Sequence, residues 1–281
     1  MRERPVLSIR RHPVSAALAA IVLAFLWLPL IAVVINSFNQ DQLMAGWGGA
    51  TSKWYGQALR DHDVRSGLKT TMIIAISSAI VSLAVGVSGA LWWRRAPKRA
   101  RAVYDGLVYA RIIVPEVVFA TAVFFLFVRF HFRLGLTAMI IGHSVWNSAY
   151  ATLIVQARLI GLDPAIEEAA ADLGAPPWRV FRRVTLISLM PAIVAAGLLA
   201  FTFSFDDVVT SYFLQGKADS PLPIVLFGLI RFRLTPEVNA IGVLVMLFTV
   251  ALMSLAVSAF ATAGRLGRSD GRAGFLDIYR R

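Results

Sequence analysis

Two successive aspartates, Asp206-Asp207, follow the aromatic run Phe201-Thr202-Phe203-Ser204-Phe205, and a third acid, Glu116, stands directly after Pro115. All three lie in strongly apolar surroundings, where an ionisable side chain at the centre of a membrane-spanning helix costs about 2.5 to 3.5 kcal/mol. Carboxylates beside aromatic faces suit an organic cation: the acids neutralise ammonium groups, and the rings add cation–π attraction and contact for methylene chains. The stretch equally fits a packed aromatic helix with a structural ion pair, with Arg111 as a candidate partner. If both aspartates are helical they are rotated by about 100 degrees, so one lines a cavity and the other finds a polar partner.

Upstream, His143, Trp146, Asn147 and Tyr150 recur at i, i+3, i+4, i+7 and make one polar, aromatic helix face. That face fits pathway lining or interhelical hydrogen bonding. The candidate pathway residues are therefore Glu116, Trp146, Asn147, Tyr150, Phe203, Asp206 and Asp207. His143 has no second His or Cys at ligand spacing, so no metal is expected. No nucleophile, base and metal cluster converge, so no catalytic residue is expected and a membrane enzyme is disfavoured.

The elements that must position these residues are apolar helices. The 281-residue chain is 58% hydrophobic and 16% charged, against about a quarter charged in soluble domains. Apolar runs of about 20 residues, the length that crosses a hydrocarbon core, recur near 14–36, 67–92, 107–130, 136–156, 189–212 and 238–263. The expectation is an all-α, six-span integral membrane protein forming a single domain over 1–281. The first run is too long for a signal-peptide core and lacks a convincing cleavage site, so it reads as a retained helix. Segments 1–12, 93–104, 157–188 and 264–281 hold 18 of the 28 Lys and Arg residues, which puts both termini in the cytoplasm. The net charge of +12 is thereby a topology signal, and nucleic acid is not an expected partner.

Pro115 and Pro191 should each kink or start a helix. Ser78, Ser82, Gly86 and Ala90, four apart, form a small-residue stripe that admits another helix closely, from this chain or from another subunit. Cysteine is absent, and no phosphate-cradling loop exists, because Gly216-Lys217 is followed by Ala218 without the upstream glycine. Any nucleotide hydrolysis falls to a partner.

One piece of the chain is not built for lipid. Between the fourth and fifth runs lies GLDPAIEEAAADLGAPPWRVFRRVTLIS, within a segment 158–188. Asp163 suits an N-cap, Pro164 the first helical position, and Glu167 and Glu168 the positive end of the helix dipole. Gly174 suits a left-handed cap, and Pro176-Pro177 stops the helix. A second short turn carries Trp178, Phe181, Arg182 and Arg183. Ile166, Ala169, Ala170 and Leu173 form a narrow apolar stripe fit for a groove on another protein. Resting on anionic lipid is disfavoured by the two glutamates and an aspartate.

At these residues the chain resembles the permease subunits of ABC importers that work with a substrate-binding protein. Their cytoplasmic signature reads EAA, three residues, Gly, nine residues, Ile-x-Leu-Pro; here it is Glu168-Ala169-Ala170, Gly174 and Val184-Thr185-Leu186, with Ile187 where the pattern has proline. The stretches 115–127, 204–216 and 222–242 look like the spermidine/putrescine branch, C-type subunit, which includes relatives for opines and amino-acid derivatives. The resemblance implies the type I importer permease fold and a place in a bacterial inner membrane. It implies a related second permease in a heterodimer, two cytoplasmic ATPase subunits that use ATP and Mg²⁺, and an extracytoplasmic binding protein docking on the 37–66 and 213–237 loops. This chain would bind no cofactor. Glu167, Glu168, Ala169, Ala170, Gly174 and Arg182 are the candidate ATPase-coupling residues, and the island argues against an ion-coupled secondary transporter.

Overall fold

The computed structural model describes residues 13–232, 235–252 and 254. The basic segments 1–12 and 264–281, and with them the expected placement of both termini, lie outside the described residues, as does most of the sixth run beyond 252. The described chain folds as helices: α1 Pro13–Asn36, α2 Lys53–Arg60, α3 His62–Arg95, α4 Lys98–Ile113, α5 Glu116–Arg129, α6 Leu136–Ile160, α7 Pro164–Asp172, α8 Pro177–Val180, α9 Leu186–Phe205, α10 Val209–Leu214 and α11 Leu222–Phe232, then α12 Pro236–Leu252. Among the described residues three helices, Val14–Asn36, His62–Arg95 and Pro177–Phe205, are long and apolar enough to cross a membrane, and α4 with α5 makes a fourth if counted together. α6 is long enough at 25 residues, yet its interior-facing side is polar, with His143, Asn147 and Gln156 buried.

Among the described residues, 13–61 with 228–232 and 235–248 form one compact unit and 62–227 with 249–252 another. In the first, α1 is followed by a tightly bonded loop. Asp41 accepts from the N–H groups of Leu43, Ala45 and Gly46, and buried Trp54 donates to the Asn39 carbonyl at 2.7 Å. α1 itself buries none of its apolar window, as suits a helix solvated by lipid rather than water.

In the second unit α3, α6 and α9 pack together. The small-residue stripe is turned inward: Ser78, Ser82, Gly86 and Ala90 are all buried, and the open choice between partner helices resolves to one within the chain. Ser82 donates to the Ser144 carbonyl at 3.1 Å. Ser78 and Ser204 hydroxyls meet at 2.7 Å, and Asn147 donates to Ser204 at 2.9 Å. These bonds satisfy polar groups where lipid offers none.

The third predicted run, 107–130, is not one helix. Proline has no N–H and forces its predecessor out of the helical region; Val114 is extended at φ −63, ψ 125 and Pro115 at φ −56, ψ 140. α4 and α5 therefore meet at 105°. The fifth run also differs. It starts earlier, as one helix over Pro177–Phe205 that includes a π-helical turn at Phe181–Thr185. It continues through Pro191, so that proline does not begin it. Ile187 in place of proline leaves an N–H for the ladder, and helix is unbroken from α8 into α9. It then ends at Phe205, so Asp206 and Asp207 are not consecutive helical residues, because Asp206 caps α9 and Asp207 lies in the break before α10.

Candidate functional site

The break between α9 and α10 separates the two aspartates by environment. Asp206 is exposed at the end of α9. Asp207 turns inward, its side chain 6% exposed, and its Oδ1 accepts from the Ser211 N–H at 2.7 Å, satisfying a first-turn donor of α10. The same oxygen lies 3.5 Å from His143 Nε2, which is 3.2 Å from Ser211 Oγ. The Glu116 carboxyl, at the first residue of α5, is near enough to Asp207 and His143 to act on them electrostatically. Asp207 is thus the aspartate that finds polar partners, although the helix geometry behind that expectation does not hold.

The other candidates separate into three sets. Trp146 stacks on Arg111, whose Cζ is 3.2 Å from the ring centroid, and Phe119, packed beside that ring, lies 4.2 Å from the same carbon. Arg111 therefore makes no ion pair with the aspartates; its guanidinium nitrogens have no hydrogen-bond partner among the described residues. Tyr150 meets Phe203 edge-on at 5.2 Å. Asn147 is buried between helices and bonds Ser204 and the Ala200 carbonyl, which makes it a brace. Among the described residues no group of His, Cys, Asp and Glu could hold a metal.

Sequence reasoning missed Ser211, Phe119 and the aromatic embrace of Arg111. An aspartate followed by Val208, Val209, Thr210 and Ser211 is itself a helix-start signal, and would have found the break.

The candidates in the 158–188 segment form a separate site. Asp163 accepts from the Ala165 N–H with Pro164 at the helix start, and Gly174 sits at φ +81, a left-handed conformation that disfavours side chains. α7 buries none of its residues. Ile166 is 54% and Leu173 90% exposed, so the apolar stripe is left uncovered among the described residues. Glu168 and Ala169 are exposed, Ala170 is half-buried, and Arg182 is exposed on the π-helical turn.

Glu167 is different, since it faces its own chain. It accepts from Arg94 at 2.7 Å and from Thr185 at 2.7 Å, tying α7 to the end of α3 and to the π-helical turn. A cavity of about 610 Å³ lies beside this bridge, with Arg95, Trp178 and Phe181 in its wall. Burial pushes the Glu167 carboxyl up, but the bonds from Arg94 and Thr185 and the charges of Arg94 and Arg95 outweigh it and hold it below its ordinary value. A lowered folded value means the bridge is fully present above the unfolded pKa and is lost as pH falls through the folded one. Glu167→Gln is therefore expected to lower stability by about 1 to 2 kcal/mol at neutral pH. In thermal unfolding of the purified protein the difference should close only in acid, below about pH 4; a deficit independent of pH would show that charge is not what the bridge uses.

Residues 82–264 match the family model described as binding-protein-dependent transport system inner membrane component. The chain is 33% identical over 247 residues to the putrescine transport system permease protein PotI of Escherichia coli K12, covering 85% of this chain and 88% of that protein. It is 32% identical over 235 residues to the spermidine/putrescine transport system permease protein PotC of Haemophilus influenzae, covering 84% and 91%. In fold it is similar to a chain of a bacterial ABC transporter involved in import of the acidic polysaccharide alginate, at TM-score 0.72 and 19% identity, covering 91% of this chain and 99% of that one.

Proposed function

The chain belongs to the family of binding-protein-dependent transport system inner membrane components, a non-catalytic, multi-pass permease subunit of ABC importers, and from that premise we propose that it carries a cationic organic solute, a polyamine such as putrescine or spermidine. In this reading six spans, with both termini in the cytoplasm, form half of a pathway whose other half is a related permease. Two cytoplasmic ATPase subunits use ATP and Mg²⁺, and an external binding protein delivers the solute to the outer loops.

The observation that carries the reading is α7. It is capped at both ends, its stripe of Ile166, Ala169, Ala170 and Leu173 is unburied, and Glu167 bonds it to α3 and to the helix that runs on into α9. A force applied to α7 by a closing ATPase dimer reaches the spans through that bridge, which suits rigid-body alternating access. Glu168, Ala169, Ala170, Gly174 and Arg182 are then surface for the ATPase, while Glu167 is the link behind it. For the solute, exposed Asp206, with Phe203 and Tyr150 nearby along the same helices, supplies charge and ring faces, and the polyamine names of PotI and PotC support the choice.

The test is ATP-dependent uptake of labelled putrescine and spermidine into vesicles holding both permeases and the ATPase, with the binding protein added outside. Polyamine uptake that stops without ATP is expected. Uptake of an opine, sugar or anion in place of polyamines overturns the solute, and uptake driven by a proton gradient without ATP overturns the importer reading. Gly174→Asp adds a side chain at φ +81 and a charge in the docking face; solute-stimulated ATPase activity should fall at least tenfold while membrane insertion is unchanged. Undiminished coupling in that variant would remove α7 from the ATPase interface.

A further inference from the structure

Arg111 ends α4 just before the Val114–Pro115 break, and it occupies a place built for a cation. The rings of Phe119 and Trp146 lie 5.3 Å apart at 52° and form an aromatic corner that holds the guanidinium, its Cζ 4.2 Å from the first ring and 3.2 Å from the second. Its Nε, Nη1 and Nη2 are buried, and none has an acceptor among the described residues. Glu116 and Tyr150 are near enough to act on it electrostatically. A guanidinium carries five N–H donors, and burying them without acceptors opposes this position. What favours it is the aromatic pair and the nearby negative charge, the combination that recognises alkylammonium groups.

We propose that Trp146 and Phe119 form a binding subsite for an ammonium group of the transported cation, and that Arg111 is its built-in occupant, which the solute displaces. The inference rests on the cationic-solute reading above. Displacement exchanges one cation for another over the same rings, so the charge of the subsite is unchanged, and it frees donors that have no acceptor where they now stand. Arg111 thereby competes with the solute and weakens its retention, which suits a pathway that must release what it takes up. It also keeps the rings covered when no solute is present.

The experiment uses the complete importer in nanodiscs, without binding protein. Arg111→Ala empties the subsite, and Arg111→Gln empties it of charge while keeping more of the side chain. In both variants guanidinium ion at low millimolar concentration should raise the melting temperature, the neutral isostere urea should not, and the wild type should not respond. The response should vanish when Trp146→Leu is added. Putrescine should bind Arg111→Gln on the order of tenfold more tightly than wild type, the scale of one desolvated cation–π contact. No guanidinium response in either variant, or an equal response with Trp146→Leu, overturns the subsite. If polyamine uptake is intact in that case, the transport reading stands without it. A guanidinium response in an importer that moves no polyamine overturns the solute and leaves the self-occupied cation subsite in place.

Discussion

Replacing Gly86 with valine should prevent α3 and α6 from closing on each other and remove most of the folded protein from the membrane. A Cβ at Gly86 would lie 2.6 Å from the Ala151 Cβ and 2.9 Å from the Thr152 backbone nitrogen. Neither is the mobile end of a side chain, so relief requires the two helices to part. Parting them withdraws Ser82 from the Ser144 carbonyl and opens the Ser78–Ser204–Asn147 network, whose groups have no water to turn to in lipid. Overpacking of this kind costs about 3 kcal/mol, a large share of a marginal stability. The measurement is the yield of monodisperse, detergent-solubilised protein and its melting temperature. Gly106→Ala is the control, because a Cβ there meets nothing within 4 Å and should be neutral or slightly stabilising. A Gly86→Val protein that melts like the wild type would show that the α3–α6 seam is not set by backbone approach.

The two adjacent aspartates should behave unlike each other. Asp207→Ala removes the acceptor for the Ser211 N–H and the carboxylate beside His143, leaving buried polar groups without a partner. Truncating one member of such a buried set costs about 3 to 5 kcal/mol, so the expected result is loss of folded protein and of uptake together. Asp206→Ala touches an exposed side chain at a helix end; it should leave melting within about 0.5 kcal/mol of wild type. If Asp206 faces the solute, that variant lowers uptake of the cation by at least tenfold in correctly folded protein. Equal melting temperatures for the two variants would contradict the inward placement of Asp207, and undiminished uptake in Asp206→Ala would remove that acid from the pathway.

Much of the 158–188 segment was legible because its signals are local. Asp163-Pro164 begins a helix, Gly174 ends it, and Pro176-Pro177 restarts it, each through the φ and N–H requirements of a single residue. The same holds for the α4–α5 break, where Pro115 acts on its own neighbour, although the size of the bend was not readable. The end of α9 was misjudged for a different reason. Apolar content continues past Asp207 into α10, and hydropathy does not distinguish one long helix from a helix, a break and a short helix. The Asp207 side chain tips that balance by satisfying the Ser211 N–H, an interaction that a composition window does not register.

The sequence by itself determined that this is a chain of lipid-solvated helices with one capped polar segment carrying the family signature, since hydropathy, capping residues and the EAA-to-glycine spacing are properties of neighbours along the chain. Only the tertiary structure decided which polar residues are braces and which are available. Asn147 and Asp207 were indistinguishable in type from pathway residues, and Glu167 from a docking residue, until helices distant in sequence brought Ser204, His143 and Arg94 against them. Arg111 likewise had carboxylates within reach as partners and took aromatic rings instead. In lipid a polar side chain is bound to whichever partner the packing presents, and packing depends on contacts between residues far apart in sequence, which spacing does not encode.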